Sequence, residues 1–197
     1  QYFNLLDDDS GDYSIEVDPR EIDLEKLTCL RELGFNRLSL GIQDFDERVQ
    51  KAIHRSQSVN LVSDLLQQAR SLGFRSINFD LIYGLPFQSV ESFERTLDIV
   101  IEMSPDRLSI FNYAHLPNVF AAQRKLKEAD MPSPREKLQI LENTINQLVE
   151  AGYQYIGMDH FAKPDDELSI LQNNGKLHRN FQGYTTQEEC DLLGLGV

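Results

Sequence analysis

Three short segments of this chain alternate apolar and polar side chains with a period of two, which predicts β-strands with two different faces. They are residues 14–18, 38–43 and 77–81. One phase is apolar throughout, and the other carries a carboxylate or an amide in each segment: Glu16, Gln43 and Asp80. Carboxylates enclosed by protein without a partner are costly. If helices cover the apolar face, we therefore expect the polar face to line a barrel or cleft that holds a polar ligand.

A half-solvated antiparallel sheet would alternate in the same way. Helical stretches separate these strands, however, and a helix between two strands favours a parallel crossover. Three of the helices end at a glycine that is followed by an aromatic residue and then a strand: Gly34, Gly73 and Gly152. The predicted helices are 21–33, 59–72, 89–103 and 133–151, and the predicted strands are 13–18, 37–43, 76–83, 107–114 and 153–159.

This order predicts an α/β fold, an open partial (β/α) barrel of parallel strands with outer helices. A closed eight-fold barrel takes about 250 residues, which is more than the five units found here provide. Ligands of parallel barrels bind at the carboxyl ends of the strands. We therefore expect the site near Gln43, near Asp80 and the turn that follows it, and near Tyr113.

Charge and cysteine content narrow the class of protein. The 197 residues include 32 acidic and 19 basic side chains, so the net charge is −13, which disfavours a nucleic-acid partner. The sequence shows neither a run of about 18 apolar residues nor a signal-peptide pattern, so we expect no membrane partner. The two cysteines, Cys29 and Cys190, lack metal-ligand spacing, and free thiols are typical of a cytoplasmic protein. The four histidines form no zinc pattern, and no metal site is predicted.

Two long motifs carry a family resemblance. Residues 34–45, GFNRLSLGIQDF, and 78–86, NFDLIYGLP, resemble the radical S-adenosylmethionine (radical SAM) barrel of oxygen-independent coproporphyrinogen III oxidases and their haem-chaperone paralogues. Four downstream segments resemble the oxidase branch: 110–117 (IFNYAHLP), 155–162 (YIGMDHFA), 163–168 (KPDDEL) and 177–184 (LHRNFQGY). The chaperone branch shows His-Asn-x-x-Tyr-Trp in the last region, and this chain has no tryptophan.

The resemblance implies an enzyme, an oxidoreductase of haem biosynthesis that converts two propionate side chains of coproporphyrinogen III to vinyl groups. It implies two S-adenosylmethionine molecules, a [4Fe–4S] cluster in the full-length protein, an electron donor and an electron acceptor. The family's Cys-x-x-x-Cys-x-x-Cys loop has no counterpart in this sequence. Residues 1–197 are therefore expected to form the central and C-terminal part of the barrel, without the cluster-binding part or the C-terminal helical domain. We expect such a fragment to be a monomer and inactive alone.

The resemblance also assigns residues, although it names no catalytic group in this chain. Glu16 matches the carboxylate that contacts the cluster-bound S-adenosylmethionine. The positions that match the second S-adenosylmethionine site are Gln43, Arg55, Asp80 and the backbone of Ala114. Tyr113 and His160 are weaker candidates for the substrate cavity, and packing is the plainer role for Tyr113. Without the resemblance, Arg55 would be read as a surface residue and Ala114 as packing.

Two other functions are compatible with much of this sequence. The chain could belong to a haem-binding chaperone of the paralogous branch, which carries haem rather than transforming a substrate. It could also be a structural half-barrel without a ligand of its own. Haem transfer by the intact protein would identify the chaperone, and S-adenosylmethionine binding would exclude the bare half-barrel.

The cysteine count gives a direct prediction. A [4Fe–4S] cluster needs several thiolates that converge on one site, and only Cys29 and Cys190 are available. Anaerobic reconstitution of the 197-residue chain with iron and sulfide should therefore give no stoichiometric cluster absorbance. A stable monomer that carries a full cluster would contradict this expectation.

Overall fold

The computed structural model describes residues 6, 8–180, 183–186, 190 and 194. Four parallel strands come first: β1 (Ser14–Val17), β2 (Arg37–Gln43), β3 (Ser76–Tyr83) and β4 (Arg107–Asn112). Two short strands, β5 (Gln154–Gly157) and β6 (His160–Ala162), extend the sheet to the order β1-β2-β3-β4-β6-β5. Among the described strands the sheet is open, with β1 at one edge and β5 at the other. The predicted α/β class and partial barrel are confirmed.

Four long helices cover the apolar face of the sheet. They are α1 (Leu24–Glu32), α3 (Val59–Ser71), α4 (Val90–Met103) and α5 (Pro134–Glu150), and α2 (Glu47–Ala52) is a short helix between β2 and α3. Each long helix begins at a side chain that accepts a backbone N–H, and Ser89 and Ser133 do so within capping boxes. None of the described helices is long and apolar enough to cross a membrane.

The alternation of β2 and β3 sorts their side chains as predicted. Leu38, Leu40 and Ile42 are buried, and so are Ile77, Phe79 and Leu81. All six belong to one core cluster with helix residues such as Leu66 and Leu97. Because side chains alternate between the two faces, Ser39, Asn78 and Asp80 must lie on the opposite face. The predicted phase, with Phe79 under the helices and Asp80 away from them, is confirmed.

The predicted strand 153–159 is wrong in both length and direction. The chain reverses within it, since Gly157, Met158 and Asp159 all have positive φ values of 111°, 44° and 72°. Two consecutive positive φ values suit the tight turn of a hairpin. β5 and β6 are therefore antiparallel, and β6 pairs antiparallel with β4. This turn was not predicted, because residues 157–160 contain neither Asn-Gly nor Asp-Gly.

Several short elements were not predicted. They are α2, the two 3-10 turns at Ala121–Lys125 and Glu128–Asp130, α6 (Glu167–Asn173), and the hairpin of β7 (His178–Asn180) and β8 (Gly183–Thr185). Elements of three to seven residues show too few periods for a pattern to emerge. The first helix begins at Leu24 rather than at residue 21, because Asp23 caps it. β4 ends at Asn112 instead of 114, and residues 181 and 182 of the 177–184 motif lie outside the described residues.

The glycine at the end of α1 offers a test of the helix-end interpretation. Gly34 has φ of 97°, and a Cβ placed there would meet no atom within 4 Å. Gly34→Ala should therefore destabilise the chain by about 1 kcal/mol through backbone strain alone. Gly34→Asn should cost less, because Asn tolerates the left-handed region. Urea unfolding of the three proteins measures the order, and equal stability of all three would contradict the strain argument.

Candidate functional site

A hydrogen-bonded row of small polar side chains crosses the polar face of the sheet. Ser39 Oγ donates to Asp80 Oδ2 at 2.5 Å, and Asn78 Nδ2 donates to Asp80 Oδ1 at 2.8 Å. Asn78 Nδ2 also lies 2.8 Å from Ser39 Oγ, while its own Oδ1 accepts from Ser109 Oγ at 3.2 Å. Each oxygen of the Asp80 carboxylate thus keeps free acceptor capacity, since a carboxylate has about four lone-pair positions. Asp80 is held in one orientation and can accept from a ligand.

Glu16 belongs to the same face. The register of the parallel strands places Glu16 beside Ser39, and Ser39 beside Asn78. Its neighbours Ile15 and Val17 pack against the core, so the carboxylate projects away from the helices and is exposed. The structure therefore places Glu16 and Asp80 on one surface, two strands apart.

Gln43 ends β2 in a rare backbone conformation. Its φ is 67°, and the N–H of Asp44 donates across it to the carbonyl oxygen of Ile42 at 2.9 Å. This is a γ-turn of the uncommon, strained hand. A Cβ at Gly41 would lie 3.0 Å from Gln43 Nε2 and 3.3 Å from Arg55 Nη2. The side chains of Gln43 and Arg55 therefore converge over a position where only glycine leaves space.

Arg55 is a bridging residue rather than a surface residue. Its Nη2 lies 2.9 Å from Asp18 Oδ2 and donates to the carbonyl oxygen of Gly41 at 3.2 Å. Its Nε is buried and has no hydrogen-bond partner in the described part of the chain. A buried donor without a partner is uncommon and costly. Arg55 thus combines a fixed guanidinium with one donor that remains for a ligand.

Asp18 lies at the carboxyl end of β1 and receives two guanidinium groups. Arg20 donates to both of its oxygens, at 3.0 Å and 2.6 Å, in addition to the contact with Arg55. These hydrogen bonds, chiefly that from the Arg20 side chain, lower the pKa of Asp18 from 3.8 to about 2. Asp18 is therefore ionised at neutral pH and holds Arg55 against the sheet.

A second carboxylate next to Gln43 is fully buried. Asp44 accepts from Gln88 Nε2 at 2.5 Å, from Thr96 Oγ1 at 2.6 Å and from the N–H of Asp46 at 2.7 Å. Burial raises the pKa of Asp44, and the three donors oppose that rise. Its place next to Gln43 makes it a support of the site rather than a group that meets a ligand.

Ala114 lies two residues beyond β4 and is exposed. Its carbonyl oxygen accepts from Gln123 Nε2 at 3.1 Å, and Gln123 Oε1 accepts from the N–H of Leu116 at 2.5 Å. One amide side chain therefore fixes the backbone on both sides of His115. Since Tyr113 N–H donates to the carbonyl oxygen of Tyr83 at 2.8 Å, this backbone stays close to the end of β3.

No ring contact joins Tyr113 and His160, the two weaker candidates for the substrate cavity. The Tyr113 ring lies 5.9 Å from that of His115. Burial raises the pKa of the Tyr113 hydroxyl, and this hydroxyl has no hydrogen-bond partner among the described residues. His160 lies on β6, where its ring meets Phe111 and Tyr184 edge-on at 6.1 Å and 5.7 Å. Burial lowers the pKa of His160 and favours the neutral imidazole.

A cavity of about 560 Å³ runs along the polar face from the amino ends of the strands as far as Ser39, Asn78 and Ser109. It is lined by the first residue of each parallel strand: Ser14, Arg37, Ser76 and Arg107. Arg37 pairs with Asp12 at 2.8 Å and with Glu167, and Arg107 pairs with Asp166 at 2.8 Å and with Glu167 at 3.1 Å. The basic groups of this cavity are thus paired within the chain. Of the predicted site residues, His160 lines the cavity and the others do not.

Metal ligands do not cluster in the described part of the chain. No group of three or more His, Cys, Asp or Glu side chains there could hold a metal ion. Cys29 lies on α1, and both it and Cys190 are exposed.

Sequence reasoning named Glu16, Gln43 and Asp80 but missed the groups that orient Asp80 and support the turn at Gln43. Ser39, Asn78 and Ser109 share the polar phase, so the period of two could have found them. The contacts of Asp44 with Gln88 and Thr96 span 44 and 52 residues, and no local pattern reports such pairs.

Comparison with known proteins agrees with this geometry. Residues 3–100 match the radical SAM superfamily. The oxygen-independent coproporphyrinogen III oxidase of Pseudomonas aeruginosa is 61% identical over 196 residues, which are 100% of this chain and 43% of that protein. The solved coproporphyrinogen III oxidase of Escherichia coli, described as a radical SAM enzyme, is 60% identical with a TM-score of 0.93, over 96% of this chain and 44% of that one. The chain belongs to the radical SAM superfamily.

A more distant solved structure shares only the fold. Elp3 of the archaeon Methanocaldococcus infernus is 18% identical with a TM-score of 0.55, and the match covers 66% of this chain and 31% of that one. The curated relatives in P. aeruginosa and E. coli are more than twice as long as this radical SAM chain, which spans 43% and 41% of them.

The low pKa of Asp18 predicts how the stability of this radical SAM chain depends on pH. A carboxylate with a depressed pKa stabilises the fold above its unfolded value, and the effect is lost as the pH falls from 3.8 towards about 2. Asp18→Asn should therefore be less stable by a constant margin above about pH 5, and the margin should narrow below it. Urea unfolding at several pH values measures the margin. Asp64→Asn, at an exposed position on α3, is the control, and a margin that stays constant down to about pH 3 would contradict the prediction.

Proposed function

We propose that this chain is the central part of an oxygen-independent coproporphyrinogen III oxidase and that its polar sheet face binds S-adenosylmethionine. The observation that carries the proposal is 60% identity and a TM-score of 0.93 to the E. coli oxidase over 96% of this chain. Curated relatives with 61% and 62% identity carry the same oxidase name. The chaperone alternative receives no support from these relatives.

The residues present fit S-adenosylmethionine in their chemistry. That ligand carries a carboxylate, an ammonium group and ribose hydroxyls. Arg55 offers a guanidinium with a buried free Nε for the carboxylate, and Asp80 keeps acceptor capacity for the ammonium or a hydroxyl. Gln43 can donate or accept, and Gly41 leaves the space beside it. The backbone of Ala114, which Gln123 holds in place, completes this proposed second S-adenosylmethionine site.

Glu16 is assigned to a different ligand molecule. It projects from β1 on the same polar face as Asp80, and the family resemblance pairs it with the S-adenosylmethionine held at the cluster. A carboxylate suits ribose because one oxygen pair can accept from two hydroxyls. The cluster itself is proposed to lie in the remainder of the full-length protein, together with the family's C-terminal helical domain.

When bound and reductively cleaved, S-adenosylmethionine supplies the radical that removes a hydrogen atom from a propionate β-carbon. The residues of this chain orient the bound ligands and shield them from water. Asp80 and Arg55 hold ligand groups in fixed positions, and the Gln123 contact keeps the backbone at Ala114 in place. Neutral His160, between the rings of Phe111 and Tyr184, offers an aromatic wall for the tetrapyrrole. Tyr113 is proposed to pack beside the tetrapyrrole.

The proposal includes the partners that this reaction requires. The substrate is coproporphyrinogen III, the product is protoporphyrinogen IX, and an electron donor and an electron acceptor act with the full-length protein. A cytoplasmic, monomeric enzyme without nucleic-acid or membrane partners fits the net charge of −13 and the exposed free cysteines. The 197-residue segment alone is proposed to be inactive.

Exchange of Arg55 tests the assignment in the full-length protein. A charge-assisted hydrogen bond of this kind contributes about 1.5–3 kcal/mol, so Arg55→Leu should lower vinyl formation at least about tenfold. Cluster content should stay normal, because the cluster does not depend on Arg55. Glu16→Ala should instead reduce formation of 5′-deoxyadenosine. Iron content, 5′-deoxyadenosine and protoporphyrinogen are measured in each variant.

Arg95→Leu, at an exposed position on α4, serves as the control and should behave like the parent. For Arg55 as a solvated surface residue, the expected change is within about 0.5 kcal/mol, with near-normal turnover. An Arg55 that only bridges Asp18 and Gly41 would lower stability but leave product formation by the folded protein near normal. Normal product from the Arg55 variant would remove that residue from the site. Normal product from both the Arg55 and the Glu16 variants would refute the proposed S-adenosylmethionine face.

A further inference from the structure

The strained turn at Gln43 requires support from its surroundings. A residue other than glycine rarely adopts a positive φ, and Gln43 does so at 67° within a γ-turn. Such a conformation persists only where the neighbouring structure over-determines it, and it is often found at ligand sites. The turn directs the Gln43 amide towards Gly41 and Arg55.

Asp44 is placed to hold the turn at Gln43. It follows the strained residue directly, and its side chain has no exposed surface. Its carboxylate accepts from the Thr96 hydroxyl on α4, from Gln88 and from the N–H of Asp46. Its backbone is also held, because Gln50 Nε2 donates to the Asp44 carbonyl oxygen at 2.9 Å. Side chain and backbone are thus anchored on four sides.

The same carboxylate reaches the turn after β3. Gln88, which donates to Asp44, accepts from the N–H of Leu85 at 2.8 Å and donates to the carbonyl oxygen of Ile82 at 2.9 Å. The Gly84 turn is therefore tied to the Gln43 turn through one buried amide. Because both turns end strands that carry proposed ligand groups, a single buried acid relates their positions.

We propose that Asp44 is a positioning residue that sets the affinity for S-adenosylmethionine by holding the Gln43 amide towards Arg55. It touches no ligand and acts through Gln43 and through Gln88. Thr96, which is buried on α4, acts through Asp44. This inference rests on the proposed function, since it presumes that Gln43 binds S-adenosylmethionine.

A pair of substitutions at Thr96 tests the inference in the full-length, cluster-loaded protein. Thr96→Val keeps the shape but removes the donor to Asp44 and the acceptor of the Phe45 N–H, which both hold the segment after Gln43. The dissociation constant for S-adenosylmethionine should therefore rise about threefold to tenfold. Thr96→Ser keeps the hydroxyl and should restore near-normal binding. Anaerobic equilibrium dialysis with labelled S-adenosylmethionine measures both.

Thr144→Val is the matched control. Thr144 is equally buried, but its hydroxyl only donates to the carbonyl oxygen of Ile140 within α5, at 2.7 Å. It should lower the melting temperature without changing the dissociation constant. Asp44→Asn is a second, stronger variant, because its amide nitrogen would face Gln88 Nε2 while Leu85 holds the other end of Gln88.

The backbone strain at Gln43 can be measured separately from ligand binding, through the melting temperatures of two variants. Gln43→Gly removes the strain and the side chain, whereas Gln43→Ala removes only the side chain. The glycine variant should therefore melt at the higher temperature, and both should bind S-adenosylmethionine more weakly than the parent. Equal melting temperatures of the two variants would overturn the strained turn as the reason for the Asp44 anchor.

The remaining outcomes separate this inference from the proposed function. Weaker binding by Gln43→Ala with unchanged binding by Thr96→Val would overturn the role of Asp44 and leave the ligand assignment standing. Unchanged binding by Gln43→Ala would refute Gln43 as a ligand and with it both proposals for this turn. A Thr144→Val variant that binds as weakly as Thr96→Val would also overturn the inference, because loss of any buried hydroxyl would then suffice.

Discussion

Burial of the apolar phase of β2 and β3 under four helices determines the register of both strands and the direction in which their side chains point. Six large side chains of these two strands have at most 2% of their surface exposed. A shift of one residue in register would expose all of them and bury Asp80 and Asn78. The hydrophobic effect thus fixes the polar face without acting on any group of that face. The polar side chains that are proposed to bind a ligand are thus positioned by core side chains that do not contact that ligand.

The carboxylates at the carboxyl end of the sheet have two different roles: some hold the fold together, and one keeps acceptor capacity for a ligand. Asp18 is engaged by Arg20 and Arg55, and Asp44 by three neutral donors, so both carboxylates are committed to the fold. Asp80 is different, because only small neutral groups hold it and no ion pair in the described part of the chain includes it. A carboxylate that is oriented but not neutralised suits a cationic or hydroxyl-bearing ligand.

The sequence was sufficient for the parts that repeat. Strand phase, long helices and glycine helix ends follow from periods of two and 3.6 and from backbone conformations that few residues adopt. It was insufficient where one contact decides the outcome. The reversal at Met158 and Asp159 lacks the Asn-Gly or Asp-Gly pair that marks a tight hairpin turn, and the contact of Asp44 with Thr96 joins residues separated by about one quarter of the chain. Arg55 could be assigned only through the family resemblance, because its partner Asp18 lies on another element.

At the amino end of the strands, ion pairs rather than burial in the main core hold the neighbouring elements together. Arg37 and Arg107 tie β2 and β4 to Asp166 and Glu167 at the start of α6, while Leu168 joins only a small apolar cluster. These pairs are largely enclosed, with Arg37 11% and Asp166 7% exposed, so salt screens them only weakly. The small apolar cluster under α6 is the weaker part of its attachment, and α6 should therefore open locally at a lower free energy than the sheet over the main core. The two ends of one sheet would then differ in their dynamics, with a rigid carboxyl edge and an amino edge that opens more readily.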